Sequence, residues 1–350
     1  MRPILLVLVA GLLALAAETA RADSSPIPAA DYTVAKIWQL GGAGGWDHLA
    51  LEASGARLFV TRGERVDVIE TVSGKLTGTI RNTADVHGVA FAPALKRGFT
   101  SNGRTNSVSV FELDTLRVIQ EVPVSGSLPD AILYEPQQNH VFTANRETSN
   151  LSVLDAGTLQ VVATIPLPGP PEYMATDSAG NVYVNIDTAP GRMVLIDDKS
   201  LTVKAKWPLK ECANPTGLAF DVANHRLFSV CANQVMAVTD SVSGKAIARV
   251  VIGRGPDSAV FDPELGLVFS SNGIDGTLTV IRQDSPDEYR VTATVTTQIS
   301  ARTMTLDPVT HKIYLAAAQF GPTPAASADQ PLPRATVMPD SFVILVAQPR

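Results

Sequence analysis

Cysteine is scarce in this 350-residue chain, with Cys212 and Cys231 the only two. Neither belongs to a C-x-x-C pair or a Cys/His cluster. That excludes zinc fingers, thioredoxin-type redox chemistry and, with no C-x-x-C-H, covalent haem attachment. Charge is thin too: 18% of residues are Asp, Glu, Lys or Arg, and the net charge is −6. Affinity for nucleic acid or anionic membranes comes from neutralising phosphates, so this balance argues against a general polyanion binder and leaves room only for a local basic patch. No phosphate-binding glycine loop and no G-x-S-x-G nucleophile elbow is present. Beyond the N-terminus no apolar run is long enough to span a bilayer, and none keeps a helical period of useful length.

The one long apolar run, Ile4 to Ala17, follows Met1 and Arg2 and gives way to Ala20-Arg21-Ala22. It reads as a secretory signal, residues 1–22, cleaved near Ala22. A membrane span needs roughly 20 apolar residues, and this run is shorter, with Glu18 just behind it. No cysteine follows the cleavage point, which speaks against a lipoprotein anchor. Residues 23–350 are therefore expected as one exported domain, periplasmic or secreted, in an oxidising compartment, without a membrane span and monomeric. Taking Arg2, Arg21 and Glu18 from the totals of 28 basic and 34 acidic residues leaves 26 against 33, or −7.

What the chain has in quantity is repetition. "HGVAFAPALKRGFTSN", "DAILYEPQQNHVFTAN" and "TGLAFDVANHRLFSVC" share one pattern: an apolar run, a polar turn, and a second run holding an aromatic. The first runs end at Leu51, Phe91, Tyr134, Thr176, Phe220, Phe261 and Leu306, at steps of 40 to 45 residues. The second runs carry Phe59, Phe99, Phe142, Tyr183, Phe228, Phe269 and Tyr314 at the same step. A third apolar run follows in every unit and a fourth in the first six, all β-branched and bounded by Gly, Asp, Asn and Pro. Four strands per roughly 42 residues predict an all-β, seven-bladed β-propeller of four-stranded antiparallel blades. The seventh unit lacks a fourth strand, and "YTVAKIWQL" from Tyr32 matches that pattern. The expectation is that the N-terminal strand closes the last blade, three strands plus one.

Strands alternate in direction, so the fourth-to-first and second-to-third loops share one face, the top. Cys212 lies in the loop entering the fifth blade and Cys231 ends that blade's second strand, so both reach the same face of the same blade. In an oxidising compartment this predicts a disulfide.

The same face carries the candidate site. Four residues before each first-run end come Asp47, His87, Asp130, Glu172, Thr216, Asp257 and Arg302, which open strand one beside the central channel. Second strands end at Arg62, Asn102, Asn145 and Asn272, with Asn185 one position earlier in its unit. Arg104, Arg146, Trp46 and His48 lie nearby, whereas His140, His225 and His311 belong to turns on the opposite face, where solvation is expected. Three readings stay open. Polar strand starts can merely solvate a wet channel, convergent polar groups can bind a small molecule or peptide, and four carboxylates can hold a divalent cation such as calcium on the axis. No sequence motif demands a metal or other cofactor. Between "IYLAAAQ" and "FVIL" the seventh unit inserts a 22-residue segment, 320–341, with five prolines. The expectation is an ordered flap or a partner-docking segment on the top face.

The second strands "LFVT", "VFTA", "VYVN" and "IYLA", with an acidic residue after strand three, resemble the YVTN-repeat propellers. Stretches such as "GLVFSSNGIDGTLTVI" and "ARTMTLDPVTHKIYLAAAQFGP" are similar to the exported YncE-like group, over essentially the whole mature chain. The resemblance implies a periplasmic binding or protein-interaction module working through its top face. The alternative is an enzyme at that face, of lactonase or lyase type or accessory to a quinoprotein redox pathway, and an axial metal or a strongly shifted histidine would favour it. The family also suggests single-stranded DNA binding, which the −7 charge disfavours. The Pro-Arg-His blade start of seven-bladed lactonases is missing, with Arg302 its only match. Quinone-cofactor propellers carry tryptophan docking motifs, whereas this chain has only Trp38, Trp46 and Trp207.

Overall fold

The structure, a computed structural model, describes residues 31–323 and 335–350. The expected signal segment, residues 1–22, and the middle of the proline-rich insertion lie outside the described residues. Among the described residues, apart from one 3-10 turn, Pro93–Leu95, the regular elements are strands. They form seven four-stranded antiparallel blades around a channel, with each blade's first strand innermost.

Local chemistry explains the blade. Every first-to-second turn contains a residue of left-handed backbone: Gly55, Lys96, Asn139, Gly180, His225, Gly266 and His311. Glycine and asparagine, which enter that region at little cost, fill four of these turns, and Lys96, His225 and His311 the other three. The second-strand aromatics are all buried between blades. Seven apolar clusters fill the seven blade-to-blade interfaces, for example Phe269, Leu278, Leu315 and Leu345 between blades six and seven.

Closure follows the expected arrangement. Tyr32–Gln39 runs antiparallel to Val343–Pro349, from Tyr32 opposite Pro349 to Gln39 opposite Val343, with a bulge between Val34 and Lys36. The Tyr32 ring meets Phe269 edge-on at 4.8 Å. Cys212 and Cys231 are bonded, with their Cα atoms 5.5 Å apart.

One junction differs from the repeat pattern. The fourth strand of blade one and the first of blade two form one continuous strand, Leu76–Ala92. The third strand of blade one starts early, at Gly63, and Gly63 pairs with Val86 across what would be a loop. Asn82 and Asp85, both at positive φ, kink the strand so that it serves two blades.

Candidate functional site

The starts of the inner strands converge on the top face around a cavity of about 440 Å³. Asp47, His48, His87, Asp130, Glu172, Asp257 and Arg302 line it, from blades one, two, three, four, six and seven. Trp46, Asp85, Arg146 and Tyr173 also line it. Backbone bonds hold the strand starts in place: His48 N–H donates to the His87 carbonyl (3.0 Å) and Asp47 N–H to the Thr61 hydroxyl (3.0 Å).

The charges are arranged as alternating partners. His87 Nδ1 lies 2.7 Å from Asp47 Oδ2 and 3.6 Å from Asp130 Oδ1, and His48 Nε2 is 3.7 Å from Asp130 Oδ1. Arg302 binds Asp257 at 2.6 Å, approaches Asp47 to 3.7 Å and donates to the Trp46 carbonyl at 3.3 Å. Arg146 spans Glu172 and Asp187, and the Tyr173 ring stands edge-on to His48 at 5.1 Å.

These neighbours decide the protonation states. Burial pushes the Asp47 carboxyl up, but His48, the hydrogen bond to His87 and Arg302 outweigh it and bring it down to about 2. Burial pushes His87 down, yet the bond to Asp47 and the charges of Asp130, Asp47 and Asp85 lift it to about 9. His48 is raised against burial by Asp47 and Asp130. Asp257 is raised by burial, with Arg302 opposing. The Tyr173 hydroxyl is pushed up to about 12 by burial and by Asp47 and Asp257.

Several residues expected at the mouth lie elsewhere. Asn102, Asn145 and Asn272 are fully buried, and their amides donate within their own blades, to Ser107 and Ser109, to Asn150 and Ser152, and to Thr277 and Thr279. Asn185 is buried too, bonded to the Thr216 carbonyl and to Ser229. The Thr216 hydroxyl donates to the Pro256 carbonyl, so blade five adds nothing to the cavity wall. Arg62 is buried beneath the glycine-rich segment 41–45. Its guanidinium lies 3.7 Å from the centre of the Phe342 ring and donates to the carbonyls of Gly41, Gly42 and Ala43. Gly41 and Gly42 take positive φ to present those oxygens. Arg104 pairs at the surface with Glu64. Of the opposite-face histidines only His225 is exposed as expected. His140 and His311 are half-buried and tie neighbouring blades through Asp198 (2.7 Å) and Asp262 (2.8 Å).

Beside the charged mouth lies an apolar shelf. Ile274, Ile299 and Phe320 are all well exposed there, next to Trp46. The described ends of the insertion pair with each other beside Trp46. Phe320 and Val337 form an antiparallel bridge, and Gly321 N–H donates to the Thr336 carbonyl at 2.9 Å. Trp46 is the one tryptophan at the mouth: Trp38 packs on Tyr314 and Trp207 against Gly244.

Chemically, the wall can donate protons from its imidazoles, clamp a polar group between carboxylates and guanidinium, or offer Asp47, His48 and Asp130 to a cation. No protein-family model matches this chain, and no curated protein sequence does. The chain is similar in structure to hydrazine synthase from Kuenenia stuttgartiensis, with a TM-score of 0.70 and 18% identity, over 78% of this chain and 92% of that one. A likeness at that identity carries the propeller fold alone.

Proposed function

We propose that the protein is an exported, periplasmic binding module of the YncE-like kind, which takes a small ligand at the channel mouth. The ligand's polar end enters the charged cavity and its apolar part lies over the Ile274, Ile299 and Phe320 shelf. One observation carries this reading: six blades each aim at least one ionisable side chain into the same cavity of about 440 Å³. Simple channel solvation does not call for six blades to do so. The volume lies in the range of small-ligand sites, and the charged wall calls for a polar or ionic group on the ligand. The net charge of −6 speaks against nucleic acid as the partner.

A second reading, catalysis at the same mouth, is favoured by His87. Lifted to about 9, it keeps its proton at neutral pH beside the cavity and can act as a general acid. Native mass spectrometry of protein purified from its own compartment distinguishes the outcomes. The expected result is a non-covalent mass on the wild type that is absent from the folded Asp130→Asn/Asp257→Asn double variant. Bare chains in both cases reduce the ring to channel solvation. Turnover of the retained compound, lost in His87→Gln, moves the assignment to an enzyme.

A further inference from the structure

We infer that Asp47, His48 and Asp130 form a site for one divalent cation of the zinc class at the floor of the mouth, with His87 positioning Asp47. The inference rests on the reading of the mouth as a ligand site and names what that floor takes. One donor atom from each of the three residues lies within 4.8 Å of the others. The His48 Nε2 to Asp130 Oδ1 separation is 3.7 Å. Metal–donor lengths near 2.1 Å put tetrahedral neighbours about 3.4 Å apart, so modest side-chain movement closes the set. Asp47 and His48 are adjacent at the start of blade one, and Asp130 reaches them from blade three across the cavity.

Two imidazole nitrogens beside the set are also short of hydrogen bonds. Among the described residues His48 Nδ1 is inaccessible and makes no hydrogen bond, and His87 Nε2, also inaccessible, has only the Asp85 carboxylate at 3.6 Å; native proteins rarely leave such buried nitrogens unsatisfied. His87 Nδ1 at 2.7 Å from Asp47 Oδ2 supplies the outer contact that fixes a ligating carboxylate. Among the described residues Asp130 forms its ion pairs with His48 and His87, while Arg302 binds Asp257 and approaches Asp47 to 3.7 Å. A set of imidazole and carboxylates suits zinc-class ions, whereas calcium takes six to eight oxygens. Three protein donors leave a coordination position open toward the cavity, where a ligand can complete it.

The test is calorimetric titration of chelator-dialysed mature protein with zinc chloride. The expected result is one zinc per chain with a Kd below about 10 µM, and calcium weaker by about 100-fold or more. His48→Ala and Asp130→Asn each weaken zinc by at least about tenfold, while His140→Ala, on the opposite face, binds as wild type. His87→Gln keeps the stoichiometry and weakens binding less than His48→Ala does. No zinc uptake below about 1 mM, wild-type affinity in both ligand variants, or calcium as tight as zinc overturns the inference. If a variant fails to fold, cobalt(II) added to the wild type decides: paramagnetic broadening centred on His48 and Tyr173 upholds the site, and broadening centred elsewhere removes it. A wild type that takes no zinc yet retains an organic mass in native mass spectrometry loses the metal while the mouth keeps its binding role.

Discussion

Replacing Cys212 and Cys231 together by alanine tests how the fifth blade is held. The bond closes a loop of 19 residues, and the chain-entropy relation assigns such a loop about 3 kcal/mol of stability. Unfolding entropy of about 2.1 cal/mol/K per residue, over roughly 310 ordered residues, then converts this to a fall in Tm of about 5 °C. The loss is local. Ala213 N–H still donates to Asn233 Oδ1 (3.0 Å), and Asn233 still donates to the Glu211 carbonyl (2.9 Å), so the loop keeps its course. Blade five lines none of the mouth, so ligand affinity is expected to stay at the wild-type value. Scanning calorimetry of wild type, reduced wild type and the double variant provides the measurement, with thiol labelling as the control. An unchanged Tm in the variant refutes the entropic argument, and a lost ligand refutes the separation of blade five from the site.

Three further outcomes are expected. Deleting residues 31–40 bares the long edge at Val343–Pro349 and gives aggregation on a sizing column; a monomer with unchanged Tm contradicts strand closure. Arg62→Met leaves three backbone carbonyls without their donor and is expected to cost about 3 kcal/mol in urea unfolding, with Arg62→Lys recovering only part. His87 is raised in the folded state, so its contribution is fully present below pH 6.5 and is lost as pH rises through about 9. The loss is at most about 3 kcal/mol, read by denaturation at both ends of that window, and it is expected to be absent in His87→Gln.

The repeat is legible in the sequence because strand period, turn residues and second-strand aromatics recur together, and each has one physical cause in the blade. The same period locates the strand starts, and six of the seven expected starts do line the cavity, Thr216 excepted. Second-strand ends are harder to read, because nearness to the mouth in sequence does not fix which way a side chain turns. A signal is available: Asn102, Asn145 and Asn272 each precede a polar side chain by five residues and a hydroxyl by seven, the partners they bond. Arg62 replaces that asparagine in blade one, with Asp67 five residues on. Tyr173, next to Glu172, is missed by a reading that looks for charged strand starts alone. The His140 and His311 pairs join residues 58 and 49 positions apart, a contact visible only once blades are stacked.

The most direct measurement of the central claim is a crystal structure of the protein purified from its native source without chelator. The account predicts non-water density in the mouth, in contact with Asp47, His48 and Asp130. Ordered water alone at those side chains, at full occupancy of the protein, would contradict it.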